Sequence, residues 1–84
     1  MYHVIIDKRA SDFLNKLEPM LARRIVKLIK EFSENPNSKD VKRLKGEHAF
    51  RLRAGDYRII FDIDHKDKTI KILKIGHRKN IYDK

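Results

Sequence analysis

The spacing of the apolar residues changes once along the chain, and this change constrains the fold more than any other feature. Before Asn35-Pro36-Asn37-Ser38 the apolar residues recur every three or four positions, whereas beyond it they alternate with polar residues. The first period is typical of an amphipathic helix, and the second is typical of a strand with one buried face. The Asn, Pro and Ser residues between them interrupt both patterns. The sequence therefore predicts an α+β protein in which helices precede most of the sheet.

The first half of the chain predicts a short strand and a helical hairpin. Residues 2–6 are rich in β-branched side chains, which favour a strand. Pro19 suits the first turn of the second helix, because its missing N–H would have no partner there. The apolar stripes of the two helices are Ala10, Phe13, Leu14 and Leu17, followed by Leu21, Ile25, Leu28, Ile29 and Phe32.

The second half predicts three strands joined by short turns. Alternation covers residues 50–53, 57–64 and 69–75, with turns at 54–56 and 65–68, and Gly76 is expected to end the last strand. Such a run predicts an antiparallel meander, and the N-terminal strand and helical hairpin should pack on one face of the antiparallel sheet that it completes. The sequence does not decide whether the first strand joins an edge or lies between later strands.

The length of the chain predicts a single domain over residues 1–84. The chain has no cysteine, which excludes disulfides and thiolate chemistry, and its four histidines lack the short paired spacing of zinc sites, so no metal or cofactor is predicted. The apolar run Val4–Ile6 is too short for a signal peptide, and nothing approaches the roughly twenty apolar residues of a membrane span. A cytoplasmic protein is expected.

The positive charge is concentrated in the second half of the chain. Lys and Arg number 21 against 12 acidic residues, a net charge of +9. Residues 1–40 carry eight basic and six acidic side chains (+2), whereas residues 41–84 carry thirteen and six (+7). Such an asymmetric field attracts polyanions, of which nucleic acid is the usual one. The alternative is that the charge serves only solubility.

Alternation along the strands predicts that several arginines share one face. Arg51 and Arg53 are two positions apart and should project away from the core, and Arg58 should do the same from the next strand. Arg78 follows the last strand and should reach the same surface. Arginine suits phosphate because its planar guanidinium donates two parallel hydrogen bonds. The alternative is a solvated basic face that pairs with Asp56, Asp62 and Asp64.

Cleavage of RNA at such a patch would need more than positive charge. Arginine can stabilise the scissile phosphate, but it is a poor base because its pKa exceeds 12. The candidates for proton transfer are His77, whose pKa is ordinarily near neutrality, Tyr82 and His48. Each has a structural alternative: His77 could bond backbone at a strand end, and the Tyr82 ring could pack against the sheet edge.

Two segments resemble the RelE/ParE superfamily of toxin–antitoxin systems: residues 51–61, Arg-Leu-Arg-Ala-Gly-Asp-Tyr-Arg-Ile-Ile-Phe, and residues 75–82, Ile-Gly-His-Arg-Lys-Asn-Ile-Tyr. Lys42-Arg43-Leu44-Lys45-Gly46 and the helical hairpin fit the same pattern. The resemblance implies a RelE-type mRNA interferase that enters the ribosomal A site and cleaves the codon there by attack of the 2′-oxygen, without a metal. It also implies a cognate RelB-type antitoxin, with operator DNA bound only indirectly through that antitoxin.

The resemblance also implies the site residues. Basic residues on two strands would stabilise the phosphate, and a C-terminal tyrosine would orient or activate the nucleophile. Some members carry lysines at positions 51 and 53, and arginine is a worse base, so either His77 moves the protons or the ribosome positions the substrate. The implied catalytic residues are Arg51, Arg53, Arg58, Arg78, Tyr82 and His77. The implied RNA- or phosphate-binding residues are Lys42, Arg43, Lys45, Lys74 and Lys79.

Two other functions suit the same sequence. A ParE-type toxin would poison DNA gyrase without nuclease activity, although the combination of Arg58, Arg78 and Tyr82 favours the nuclease. A ribosome- or RNA-binding protein without catalysis would fit the charge and the fold equally well.

Overall fold

The structure, a computed structural model, describes residues 2–35, 41–43 and 49–79. Two helices pack on one face of a five-stranded sheet. The elements in chain order are β1 (His3–Ile6), α1 (Lys8–Lys16), α2 (Pro19–Glu34), β2 (Val41–Arg43), β3 (Phe50–Ala54), β4 (Tyr57–Asp64) and β5 (Thr69–His77). The strands lie in the order β1-β5-β4-β3-β2. The predicted α+β class, the helical hairpin and the antiparallel meander β3-β4-β5 are confirmed.

The sheet differs from the sequence prediction in three details. The strand β1 pairs parallel with β5 at one edge, so the sheet is mixed rather than wholly antiparallel. A strand that was not predicted, β2, pairs with β3 at the other edge. The last strand runs through Gly76 to His77, because Gly76 pairs with Arg58 and the Arg78 N–H donates to the Asp56 carbonyl at 2.8 Å.

The residues at the start of each helix explain where that helix begins. The Asp7 carboxylate accepts a hydrogen bond from the Arg9 N–H at 3.0 Å and so caps α1. Pro19 occupies the first turn of α2, and this helix ends at Glu34, just before the Asn-Pro segment. In the described part of the chain, no helix is both long enough and apolar enough to cross a membrane.

The core lies between the helices and one face of the sheet. The rings of Phe32 on α2 and Phe61 on β4 meet edge to face with centroids 4.8 Å apart, and both side chains are buried. Other fully buried side chains are Ile25, Leu52, Ile59, Ile70 and Ile72. Because side chains alternate along a strand, burying these residues directs their neighbours on β3 and β4 to the opposite face of the sheet.

The turn between β3 and β4 depends on a glycine. Gly55 has a φ of +61°, and a Cβ built there would meet no atom within 4 Å. Gly55→Ala should therefore lower the free energy of unfolding through backbone strain alone, by about 1 kcal/mol. Gly55→Asn should cost less, because asparagine tolerates this conformation better. Urea unfolding of both variants checks this, and an alanine variant as stable as the wild type would contradict it.

Candidate phosphate-binding site

The strand register brings basic residues together on the sheet face opposite the helices. Arg53 on β3 lies directly across from Arg58 on β4, and side chains in such pairs have Cβ atoms about 4.5–5.5 Å apart. Two residues before Arg53 on the same strand, Arg51 lies between Lys42 on β2 and Ile60 on β4. Since Leu52 and Ile59 are buried on the helix side, these arginines project from the other face.

Arg58 is held by the turn that precedes it. Its Nη1 donates to the Gly55 carbonyl at 2.7 Å and to the Tyr57 carbonyl at 2.9 Å. Burial, followed by the positive charges of Arg53, Arg51 and Arg78, lowers the pKa of Arg58, and Asp56 raises it. The group stays protonated near neutral pH, because an arginine pKa ordinarily exceeds 12. The arginines from three parts of the chain therefore act on one another electrostatically.

Arg78 reaches this cluster from the end of β5. Its backbone N–H donates to the Asp56 carbonyl at 2.8 Å, and its Nε lies 3.7 Å from Asp56 Oδ1. Both side chains are largely exposed, at 59% and 65%. We use "arginine cluster" for Arg51, Arg53, Arg58 and Arg78.

The positive charges of Arg53, Arg51 and Arg78 act against the positive charge on Arg58. Two unit charges 6–8 Å apart repel by about 2–3 kcal/mol at an effective dielectric constant of 20, before salt screening, and less where the side chains are exposed. A bound anion would remove this repulsion, and phosphate matches the fork of N–H donors that each guanidinium presents. The arginine cluster is therefore suited to binding a phosphate or a chain of phosphates.

His77 lies on the other side of the sheet from the arginine cluster. It is paired with Tyr57, whose ring lies 6.1 Å from the Phe13 ring of α1 on the helix side. The rings of His77 and Tyr57 meet edge to face at 5.4 Å, and His77 Nδ1 accepts a hydrogen bond from the Lys79 N–H at 3.2 Å. The structure does not bring His77 together with the arginines, because β5 continues past Gly76 and the alternation carries His77 inward.

The lysines around the arginine cluster are exposed. Lys42 pairs with Arg51, and Lys74 lies in the same cross-sheet row with Ile60 between it and Arg51. Lys79 follows the end of β5. Arg43 pairs with Phe50 at the edge of the sheet. The candidates Lys45, His48 and Tyr82 lie outside the described residues.

Asp56 is the site residue whose place the sequence did not predict. The sequence predicts it only as a general counter-charge on a basic face, whereas in the structure it contacts Arg78 through both its backbone and its side chain. Its position in the Gly-Asp turn could have indicated this, because the turn joins the two arginine-bearing strands. The turn therefore belongs to the site as much as the strands do.

Residues 4–82 match the family described as the ParE toxin of the type II toxin–antitoxin system, parDE. The chain belongs to this family. A curated relative, the putative toxin RelE1 of Methanocaldococcus jannaschii, is 34% identical over 85 residues, which cover 96% of this chain and 94% of the relative. The predicted membership of the RelE/ParE superfamily is confirmed.

Solved structures of the family share the fold. The archaeal RelE–RelB complex from Pyrococcus horikoshii OT3 contains a chain with a TM-score of 0.80 and 34% identity, covering 95% of this chain and 98% of that one. The toxin–antitoxin complex RelBE2 of Mycobacterium tuberculosis gives a TM-score of 0.81 and 31% identity, covering 92% and 98%. Both structures are complexes with a partner protein.

The position of His77 predicts that this residue does not transfer protons in RNA cleavage. Because its ring packs beside Tyr57 on the helix side, His77→Gln should leave any RNA cleavage within about threefold of the wild type, well below the usual contribution of a general acid or base. The pH–rate profile should also keep its shape. A hundredfold loss of rate, with the fold intact by circular dichroism, would instead assign proton transfer to His77.

Proposed function

We propose that this chain is a RelE-type toxin, formed by one domain over residues 1–84, that cleaves mRNA in the ribosomal A site. The observation that carries the proposal is the convergence of Arg51, Arg53, Arg58 and Arg78 around the Gly55-Asp56 turn. Membership of the toxin family and the RelE names of its relatives support it. The alternative of a solvated basic face gives no reason for arginines from three elements to converge.

The proposed reaction is an internal transfer of the phosphoryl group. The 2′-oxygen of one nucleotide attacks the adjacent phosphorus, and the bond from phosphorus to the 5′-oxygen breaks. The products are a 2′,3′-cyclic phosphate and a 5′-hydroxyl, and the proton lost by the 2′-hydroxyl balances the one gained by the leaving oxygen. No oxidant, reductant or metal is needed for this balance.

The arginines would act on the charge of the phosphate. As the attack proceeds, negative charge grows on the non-bridging oxygens, and donors fixed in advance stabilise this charge without reorganising. Arg58 meets this requirement, because two backbone carbonyls already hold its guanidinium. Arg51, Arg53 and Arg78 would bind the same phosphate or its neighbours, and Lys42, Lys74 and Lys79 would attract the rest of the RNA chain.

The arginines would not carry out the proton transfers. We assign to Tyr82 the role of orienting or activating the 2′-hydroxyl, as the resemblance implies, with the ribosome positioning the codon. We do not assign proton transfer to His77, because its ring lies beside Tyr57 on the far side of the sheet.

The partner in the cell would be an antitoxin of the RelB type. The neighbouring structures from Pyrococcus horikoshii and Mycobacterium tuberculosis are toxin–antitoxin complexes, which supports this proposal. Such a partner would cover the positive charge, and operator DNA would be bound through the antitoxin rather than by this chain. We expect the toxin to act in the cytoplasm, where its ribosomal target lies.

A reconstituted translation system tests the proposal. Purified toxin should cut a defined mRNA at the A-site codon of stalled ribosomes, detected by primer extension, and should leave the same mRNA intact without ribosomes. A parallel DNA supercoiling assay tests the gyrase-poisoning activity that the family name suggests. Inhibited supercoiling with intact mRNA would replace the proposal with the ParE-type function. Binding to ribosomes without cleavage would replace it with a non-catalytic role.

A further inference from the structure

Asp56 lies at the point where the elements that carry the arginine cluster meet. It occupies the turn between β3 and β4, its backbone carbonyl accepts the N–H of Arg78 at 2.8 Å, and its Oδ1 lies 3.7 Å from Arg78 Nε. The carbonyl of the preceding residue, Gly55, accepts a hydrogen bond from Arg58 Nη1 at 2.7 Å. This two-residue turn therefore touches arginines from both β4 and the end of β5.

We infer that Asp56 is a positioning residue that orients Arg78 toward the phosphate bound by Arg58. The inference rests on the proposed function and assigns this residue a part in it. Asp56 does not itself bind the phosphate, since a carboxylate would repel it. It acts through Arg78.

The electrostatic surroundings give the carboxylate this role. Among the described residues, the charges of Arg53, Arg51 and Arg78 act on Arg58 with one sign, and Asp56 acts with the other. Without a counter-charge, the exposed side chain of Arg78 would be repelled by its positive neighbours. The carboxylate offsets this repulsion where the backbones of the turn and β5 are already joined.

The geometry of the Asp56–Arg78 pair is better suited to orienting Arg78 than to stabilising the fold. A separation of 3.7 Å is an ion-pair distance and is too long for a direct hydrogen bond. Exposed ion pairs add little to folding stability. The contact with Arg78 is through Nε, so it does not require the two Nη groups, which carry most of the N–H donors of a guanidinium. A carboxylate in this place directs Arg78 without competing strongly with phosphate.

Asp56→Asn tests the inference, because it keeps the size of the side chain and removes its charge. On ribosomes, kcat for mRNA cleavage should fall roughly tenfold or more, since small errors in position cost this much. KM should stay the same or fall, because the variant is one charge more positive. Asp56→Glu should recover part of kcat. Asp62→Asn is the matched control: Asp62 is an exposed carboxylate on β4, opposite Lys71, and its variant should cleave at the wild-type rate.

A double-mutant cycle shows whether Asp56 acts through Arg78. In an Arg78→Ala background, Asp56→Asn should have no further effect on kcat, whereas independent roles would give additive losses. Additive losses, or an unchanged kcat in Asp56→Asn alone, would overturn the inference. So would a parallel loss of thermal stability and activity that Asp56→Glu does not repair, because that result indicates a purely structural role.

An NMR measurement separates this inference from the proposed function. In ¹⁵N-labelled toxin, the Nε–H signal of Arg78 should shift in Asp56→Asn and stay in place in Asp62→Asn. If the wild type cleaves no mRNA, the proposed function fails, yet this signal still reports whether Asp56 orients Arg78. An Arg78 signal that Asp56→Asn leaves unchanged would overturn the inference even in an active toxin.

Discussion

Arg58→Ala is expected to slow mRNA cleavage on the ribosome by roughly tens- to thousandfold, the range found when a preorganised charge donor is removed from an active site. Two backbone carbonyls hold the guanidinium of Arg58, and three neighbouring arginines place further positive charge near it. The loss should appear mainly in kcat. Single-turnover cleavage of an mRNA on stalled ribosomes measures it directly.

Arg58→Ala also removes two hydrogen bonds to the turn, so stability must be measured beside activity. These two bonds contribute about 1 kcal/mol each to the free energy of unfolding, less than the roughly 5–15 kcal/mol of a typical domain, so the variant should stay folded. Arg58→Lys keeps the charge but not the planar fork, and its rate should lie between those of the wild type and Arg58→Ala. Arg23→Ala, at an exposed position of α2, should cleave normally. Wild-type rates in Arg58→Ala would show that the phosphate binds elsewhere.

Periodicity was sufficient to predict the main elements of the fold. The helical stripes of α1 and α2 contain the residues that the core buries most deeply on the helix side, Ala10, Ile25, Ile29 and Phe32. The alternation after the Asn-Pro segment predicted β3 and β4, because one face of each strand packs on the helices. Burial of one face is a local property of the sequence, and this is why it could be predicted.

The remaining details of the sheet depend on tertiary contacts. The strand β2 has only three residues, Val41–Arg43, too few to show a period, and it exists because β3 offers it an edge. A glycine usually weakens a strand. Gly76, however, is buried and pairs with Arg58, and β5 continues through it. The parallel pairing of β1 with β5 joins the first and last strands of the chain, a long-range contact that no local pattern in the sequence records.

The site was predictable where it follows from alternation and unpredictable elsewhere. The shared face of Arg51, Arg53 and Arg58 follows from their spacing on β3 and β4. The sequence predicted that β5 ends at Gly76, which was wrong: the strand continues through Gly76, and the alternation places His77 on the helix side. The contact of Asp56 with Arg78 joins a turn to a strand end some twenty residues away, and only the pairing of β4 with β5 brings them together.

Arg53→Glu is expected to weaken RNA binding and to stabilise the fold at the same time. Arg53 lies directly opposite Arg58, so the substitution changes a repulsive cross-strand pair into an attractive one. Because Arg53 is exposed, salt screening should limit the gain to a few tenths of a kcal/mol in the free energy of unfolding. The affinity for RNA should fall roughly ten- to a hundredfold, which corresponds to a loss of about 1.4–2.8 kcal/mol of binding free energy.

The opposite signs of the two effects make Arg53→Glu informative. A variant that loses binding because it unfolds would lose stability as well, whereas this one should melt at the same or a higher temperature. Arg23→Glu changes the net charge equally on an exposed position of α2, away from the cluster, and should reduce affinity for RNA by less than about threefold at 150 mM salt, where distant charges are screened. Equal losses of affinity in the two variants would mean that RNA responds to net charge alone, and that the arginine cluster is not its binding site.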